Sequence, residues 1–249
     1  MNARVVDAGK GWQWIVDGFG VFRKFPLMWI MLTVVLVLMW MVSFLIPLLG
    51  PLLFNLLSPV LFAGLMIGCK AVDSGEELEL PHLFAGFKKN PAALVTVGGI
   101  YLIGTILVVG IIFVMAGGSM LPSVLQHSHG DMQTLAATLR SMALALTIGC
   151  AHYLPLLMLI WFAPLLVVFH DLKPVEAMKL SFWACAANWL PFLVYGVIIL
   201  ALWFIASIPL FLGLVVLLPV LICSVYASYK DIFVAVDPKP AGGGNPFLR

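Results

Sequence analysis

Four stretches of this chain contain no aspartate, glutamate, lysine or arginine: Phe25–Cys69, Asn90–Gly130, Ser141–His170 and Leu180–Tyr229. Each is long enough for a helix to cross the hydrocarbon core of a bilayer, which takes about 20 apolar residues. Runs of this kind exclude an ordinary soluble fold, because charged side chains are what a water-facing surface is built from. The composition agrees: 63% of residues are apolar and 10% charged, where a soluble domain carries about 25% charged. The net charge is +2 and no basic stripe is present, so nucleic acid is not an expected partner.

The first and last runs are too long for one span each, and both contain a break. Pro47-Leu-Leu-Gly-Pro51 splits the first, and Pro209 to Gly213 splits the last. Proline removes a helix donor and glycine loosens the backbone, so both read as tight hairpin turns. Six spans result, at roughly 27–47, 52–70, 92–116, 143–169, 190–209 and 213–230. Gly117-Gly118 and Pro122 end the third span in this reading, with a short surface helix from Asp131 to Arg140. The first 26 residues lack the short apolar core and small-residue cleavage site of a secretory signal. Of the 13 lysines and arginines, all but Arg140 fall on one side of the threading. The positive-inside rule then places both termini and the 71–91 and 170–189 loops in the cytoplasm. Cys69, Cys150, Cys185 and Cys223 read as small packing residues, with no disulfide expected.

The pattern repeats. Trp12, Ile15, Phe19 and Phe22 follow offsets of 0, 3, 7 and 10, one face of an amphipathic helix. Val175, Met178, Phe182 and Cys185 keep the same offsets. Leu80, Phe84 and Phe87 keep three of the four, with Glu77 in the remaining place. Arg23-Lys24-Phe25-Pro26 parallels Lys88-Lys89-Asn90-Pro91, and Ala186-Ala187-Asn188-Trp189 stands at the equivalent point. The returning spans share Ser58-Pro59-Val60-Leu61, Ala163-Pro164-Leu165-Leu166 and Leu218-Pro219-Val220-Leu221, and end near Asp73, Asp171 and Asp231. We read three copies of interfacial helix, span out, turn and span back, at about 11–73, 76–171 and 174–236. They form one all-α domain over residues 1–236, with a tail at 237–249 of linker composition. The interfacial helices would anchor in the bilayer through Trp12, Trp14, Trp29, Phe84, Phe87, Trp183 and Trp189 at headgroup depth. Phe19 and Phe22 lie beside them, and Arg23, Lys24, Lys88 and Lys89 reach the phosphates.

Gly11-Trp12-Gln13-Trp14-Ile15 through Phe22-Arg23-Lys24, Pro26-Leu27-Met28-Trp29-Ile30 and His82-Leu83-Phe84-Ala85-Gly86-Phe87 resemble proteobacterial inner-membrane proteins of the YciC type. They are also similar to the membrane domains attached to some bacterial glycerophosphodiester phosphodiesterases. The resemblance covers about residues 11–236. It implies a bacterial inner-membrane location and a six-span fold, and it brings no activity with it.

Sites are scarce. The runs place no acid, lysine or arginine within a span, which argues against proton coupling. His127, His129 and Asp131 are the candidate metal ligands, on a short segment without an evident fourth donor. Cys150 and His152 are two residues apart and so face different ways. His82 and His170 share a membrane side, but a haem needs two axial groups that face each other. Asp73, Asp171 and Asp231 read as partners of Lys70, Lys173 and Lys230. Gly64 and Gly68 have helix-contact spacing, for packing within the chain or against another membrane protein. Pro59, Pro164 and Pro219 free carbonyls that could line a path. The expectation is a non-enzymatic accessory or structural subunit, or an assembly partner, of a membrane complex. It has no cofactor, and lipid and other membrane proteins are its partners. A transporter or channel for a small or lipid-like solute is the alternative.

Overall fold

Proline sets where several of the elements begin. Its fixed φ suits the first helical turn, and its missing N–H is not needed there. In a computed structural model, which describes residues 3–125 and 132–234, α2 (Pro26–Ser43), α4 (Pro91–Leu125) and α7 (Pro174–Ala187) each start on a proline. The other helices are α1 (Lys10–Phe22), α3 (Leu49–Asp73), α5 (Met132–Ile160), α6 (Ala163–His170), α8 (Trp189–Ser207) and α9 (Leu212–Tyr229). A 3₁₀ helix covers Leu80–Lys88, and α9 runs on into a π-helical turn, Lys230–Val234. Six segments are long and apolar enough to cross a membrane: Pro26–Ser43, Leu49–Asp73, Pro91–Val114, Leu139–His170, Trp189–Ser207 and Leu212–Val234. The chain is an all-α polytopic membrane protein, and each pair of spans is preceded by a short helix.

The two spans of a pair are not equivalent. In the outgoing spans of α2, α4 and α8, 17% of the most apolar window is buried inside the protein. In the returning spans the share is 50%, 44% and 50%. The returning helices therefore form the centre and the outgoing ones face lipid. Lipid is as apolar as leucine, so close backbone approach and a few polar bonds hold such helices together. The short helices supply much of this. The 3₁₀ helix packs on α3, α7 packs on α5 and α6, and α1 packs on α9 and α8. Each short helix thus rests on the returning helix that precedes it, and α1, the first, rests on α9, the last.

The buried face of α1 is Gly11, Trp14, Ile15, Gly18, Val21 and Phe22. A β-carbon on Gly11 would lie 2.8 Å from the Tyr195 nitrogen, and one on Gly18 would lie 2.6 Å from the Ser224 nitrogen. In α7 the buried residues are Ala177, Met178, Ser181, Ala184 and Cys185. Each follows its α1 counterpart by 163 positions, from Trp14 and Ala177 through Phe22 and Cys185. The stripe through Trp12, Ile15, Phe19 and Phe22 is thus the edge of the packed face and not its centre.

Two further expectations change. The second short helix is 3₁₀ and not α, so it buries only Leu83 and Gly86, three residues apart. Gly117-Gly118 and Pro122 do not break the helix that carries the third span. Helix α4 continues to Leu125, and the helix expected from Asp131 to Arg140 is the start of α5, which begins at Met132 and runs without a break to Ile160. Away from water an unsatisfied backbone costs more than a poor helix former does, which favours continuation. The hairpin turns do not use glycine for left-handed backbone. Leu48 (φ 66°) and Phe211 (φ 63°) take it, each two residues before a glycine. Gly50 and Gly213 stand where a β-carbon would strike Ser43 and Ala206 of the outgoing helix.

Candidate functional site

The polar groups of the described residues concentrate where α1, the end of α3 and the π turn meet. An i+5 turn rotates the residues beyond it out of α-helical register. Lys230 and Asp231, adjacent in sequence, reach separate partners there. The Lys230 ammonium lies 2.6 Å from the Asp73 carboxylate, which joins the π turn to α3. Asp231 accepts hydrogen bonds from the Arg4 guanidinium at 2.8 Å and the Trp14 indole N–H at 3.1 Å, with Lys10 at 3.4 Å. Next to it the buried Asn188 holds the N-terminal segment. Its amide donates to the Arg4 carbonyl, and its oxygen accepts from the Val6 N–H. The pairings expected between sequence neighbours, Asp73 with Lys70 and Asp231 with Lys230, are not formed. Lys70 instead lies over the Phe169 ring, 5.0 Å from its centroid.

A cleft of about 690 Å³ opens on this surface. Its polar walls are Lys10, Asp17, Arg23, Lys24, Asp73, Lys230 and Asp231, and Val16 and Phe19 of α1 form part of its rim. Arg23 makes no side-chain hydrogen bond or ion pair with the described residues, and the Lys24 ammonium donates to the Val72 carbonyl at 3.1 Å. Asp17 accepts from the Gln13 amide. A second, wholly apolar groove of about 570 Å³ shares Val16 and Phe19. It runs between α8 and α9 past Ala206 and Gly213, where the two helices meet.

Elsewhere the returning spans are closed by bonds within the chain. The α5–α6 break is occupied by Ser181 of α7. Its hydroxyl accepts from the Phe162 N–H at 2.9 Å and donates to the Met158 carbonyl at 2.7 Å, bridging the two groups that a continuous helix would bond directly. The Ser58 hydroxyl donates to the Asn55 carbonyl that Pro59 leaves without its usual donor. An aromatic cluster joins Trp14 to Phe192 and Tyr195, and Trp161 to the same two rings.

The residues singled out from sequence separate into groups. Trp12, Phe19, Phe84, Phe87, Trp183 and Trp189 are exposed, as are Arg23, Lys24, Lys88 and Lys89. Trp14, Trp29 and Phe22 are buried inside the protein, so these three rings are not presented to headgroups. Gly64 and Gly68 face the chain itself: a β-carbon on Gly64 would lie 2.6 Å from the His82 carbonyl, and one on Gly68 would lie 2.9 Å from Leu78. Pro59, Pro164 and Pro219 are buried, and neither cavity is lined by them. His82 and His170 have separate partners. His82 accepts from the Glu79 N–H, and His170 lies 2.6 Å from the Tyr229 hydroxyl. His127, His129 and Asp131 lie outside the described residues, as does the 237–249 tail. Among the described residues no three metal-binding side chains come together. Cys69, Cys185 and Cys223 are buried and Cys150 is exposed; burial pushes the Cys185 thiol up to about 12. Sequence reading missed Asn188, Ser181 and the partners of Asp231. Gly11 and Gly18, seven apart on one helix face, were a signal for the α1 contact.

Six apolar spans around a closed centre define a multi-pass membrane protein. No protein-family model matches the chain, and no solved structure matches it. The chain is 31% identical over 258 aligned residues to a probable inner membrane protein of Burkholderia thailandensis, with 94% of each chain covered. It belongs to that protein's family and is a multi-pass inner-membrane protein.

Proposed function

We propose that the protein is a non-enzymatic accessory or structural subunit, or an assembly partner, of an inner-membrane complex. The observation that carries this reading is the closed centre. The three prolines that could have opened carbonyls to a substrate are buried in the returning helices, and none of them lines either cavity. The surface offers the outgoing spans to other membrane components. The proposal includes the topology: three copies of one unit, YciC-type ancestry, and both termini cytoplasmic with the basic face. The fit of the spans to alternating repeats is what favours a transporter instead.

Native electrophoresis of membranes expressing the protein at its own level separates the two readings. An accessory role gives a band well above the monomer that holds one defined partner in fixed ratio. A chain that migrates alone and carries solute in proteoliposomes overturns it. For topology, a cysteine in place of Leu125 should react with a membrane-impermeant maleimide from outside the cell; labelling only after lysis refutes the orientation.

A further inference from the structure

We propose that the cleft beside α1 and the apolar groove on its far side are one site, which holds a single anionic phospholipid. The inference goes beyond the accessory reading and does not depend on it.

The charge in the cleft is not self-cancelling. Asp73 is neutralised by Lys230, and Asp231 by Arg4 and Lys10. Asp17 is the one carboxylate on the cleft without a cationic partner among the described residues, and it bonds the neutral Gln13 amide. Against it stand Arg23, whose guanidinium bonds none of the described residues, and Lys24, which spends one of its three N–H donors on Val72. A planar guanidinium beside an ammonium suits a phosphate diester, with two parallel donors from one and a point charge from the other.

An anionic solute would need only the cleft. The groove supplies the second half of the argument. Val16 and Phe19 are 40% and 48% exposed and belong to both cavities, so they form an apolar sill between them. Beyond the sill every lining residue is apolar, and the walls are the lipid-facing span α8 and the adjoining face of α9. The groove exists because α1 is wedged against both spans, through Gly11 on α8 and Gly18 on α9. A ligand with a phosphate at one end and a hydrocarbon chain at the other matches this order of surfaces. A soluble phosphate or a neutral lipid matches only half of it.

The test uses the full-length protein in neutral detergent, with lipid retention read by native mass spectrometry. Phosphatidylglycerol and phosphatidylcholine of the same chain length are the probes, with inorganic phosphate as a third arm. The wild type should keep one phosphatidylglycerol per chain and release phosphatidylcholine. Arg23→Ala with Lys24→Ala should weaken retention by about tenfold or more, since two cationic contacts at a lipid headgroup are lost. Lys88→Ala with Lys89→Ala, the parallel pair outside the cleft, should leave it unchanged. Val216→Trp, on the 42% exposed groove wall, should abolish the preference with Arg23 and Lys24 intact. Equal retention of the two lipids overturns the proposal, as does full retention by the Arg23/Lys24 variant. Phosphate competing as well as lipid, or a Val216→Trp protein that binds normally, reduces the site to an anion cleft and also overturns it. Arg23→Lys, which keeps the charge on an exposed side chain, guards against misfolding and should restore most of the binding.

Discussion

The carboxylate of Asp231 is the point at which the beginning of the chain is tied to its end, and removing it has a calculable consequence. Its side chain is 15% exposed, and it holds Arg4, itself 25% exposed, and the indole N–H of Trp14, a fully buried residue. In Asp231→Ala the indole donor is left without a partner and without water, which costs about 1–3 kcal/mol. Loss of the partly screened Arg4 pair adds about 1 kcal/mol, while Lys10, more exposed still, adds little. The sum, about 2–4 kcal/mol, should lower the melting temperature in detergent by about 4–16 °C, at roughly 2–4 °C per kcal/mol for a chain of this size. Unfolding followed by tryptophan fluorescence reads this, since Trp14 packs against the Phe192 and Tyr195 rings. Asp231→Asn keeps an acceptor for the indole and should lose less. Trp14→Phe removes the donor and keeps most of the ring, so combining it with Asp231→Ala should cost less than the two separate losses, with a coupling of about 1 kcal/mol. An unchanged melting temperature in Asp231→Ala, or strict additivity in the cycle, would refute the reasoning.

Gly18→Ala should destabilise the protein by about 1–3 kcal/mol, because its methyl meets Ser224 backbone at 2.6 Å. Gly20→Ala, on the same helix with nothing within 4 Å, should be neutral or stabilising by up to about 1 kcal/mol, and thermal unfolding of the pair checks both. Ser181→Ala should expose the α5–α6 break, with faster amide exchange at Phe162 and a loss of about 1–3 kcal/mol; unchanged exchange would mean that the helix bond re-forms without the hydroxyl. With its pKa raised to about 12 by burial, Cys185 stays a protonated, enclosed thiol at pH 8. A membrane-permeant maleimide should therefore modify Cys150 first and reach Cys185 only on unfolding, as mapped by peptide mass spectrometry.

The amino-acid order alone determined the class of fold and the number and approximate limits of the spans. Those depend on the transfer of charge and backbone into hydrocarbon, a local property of each segment. It also marked the short helices, Arg23-Lys24 and the repeated prolines, because periodicity and helix-start chemistry are local too. It did not reveal which face of α1 packs. Large aromatics dominate an apolar pattern, whereas the contact is made by Gly11 and Gly18, whose value lies in what they lack. The partners of Asp73 and Asp231 were equally out of reach: proximity in sequence pointed to Lys70 and Lys230, and the π turn sends the charges elsewhere. Only the assembled structure decided that each short helix rests on the returning helix before it, and that α1 closes the arrangement on α9. The physical reason is that apolar burial chooses no partner inside a bilayer. Shape and a few polar bonds do, and both exist only once distant segments meet.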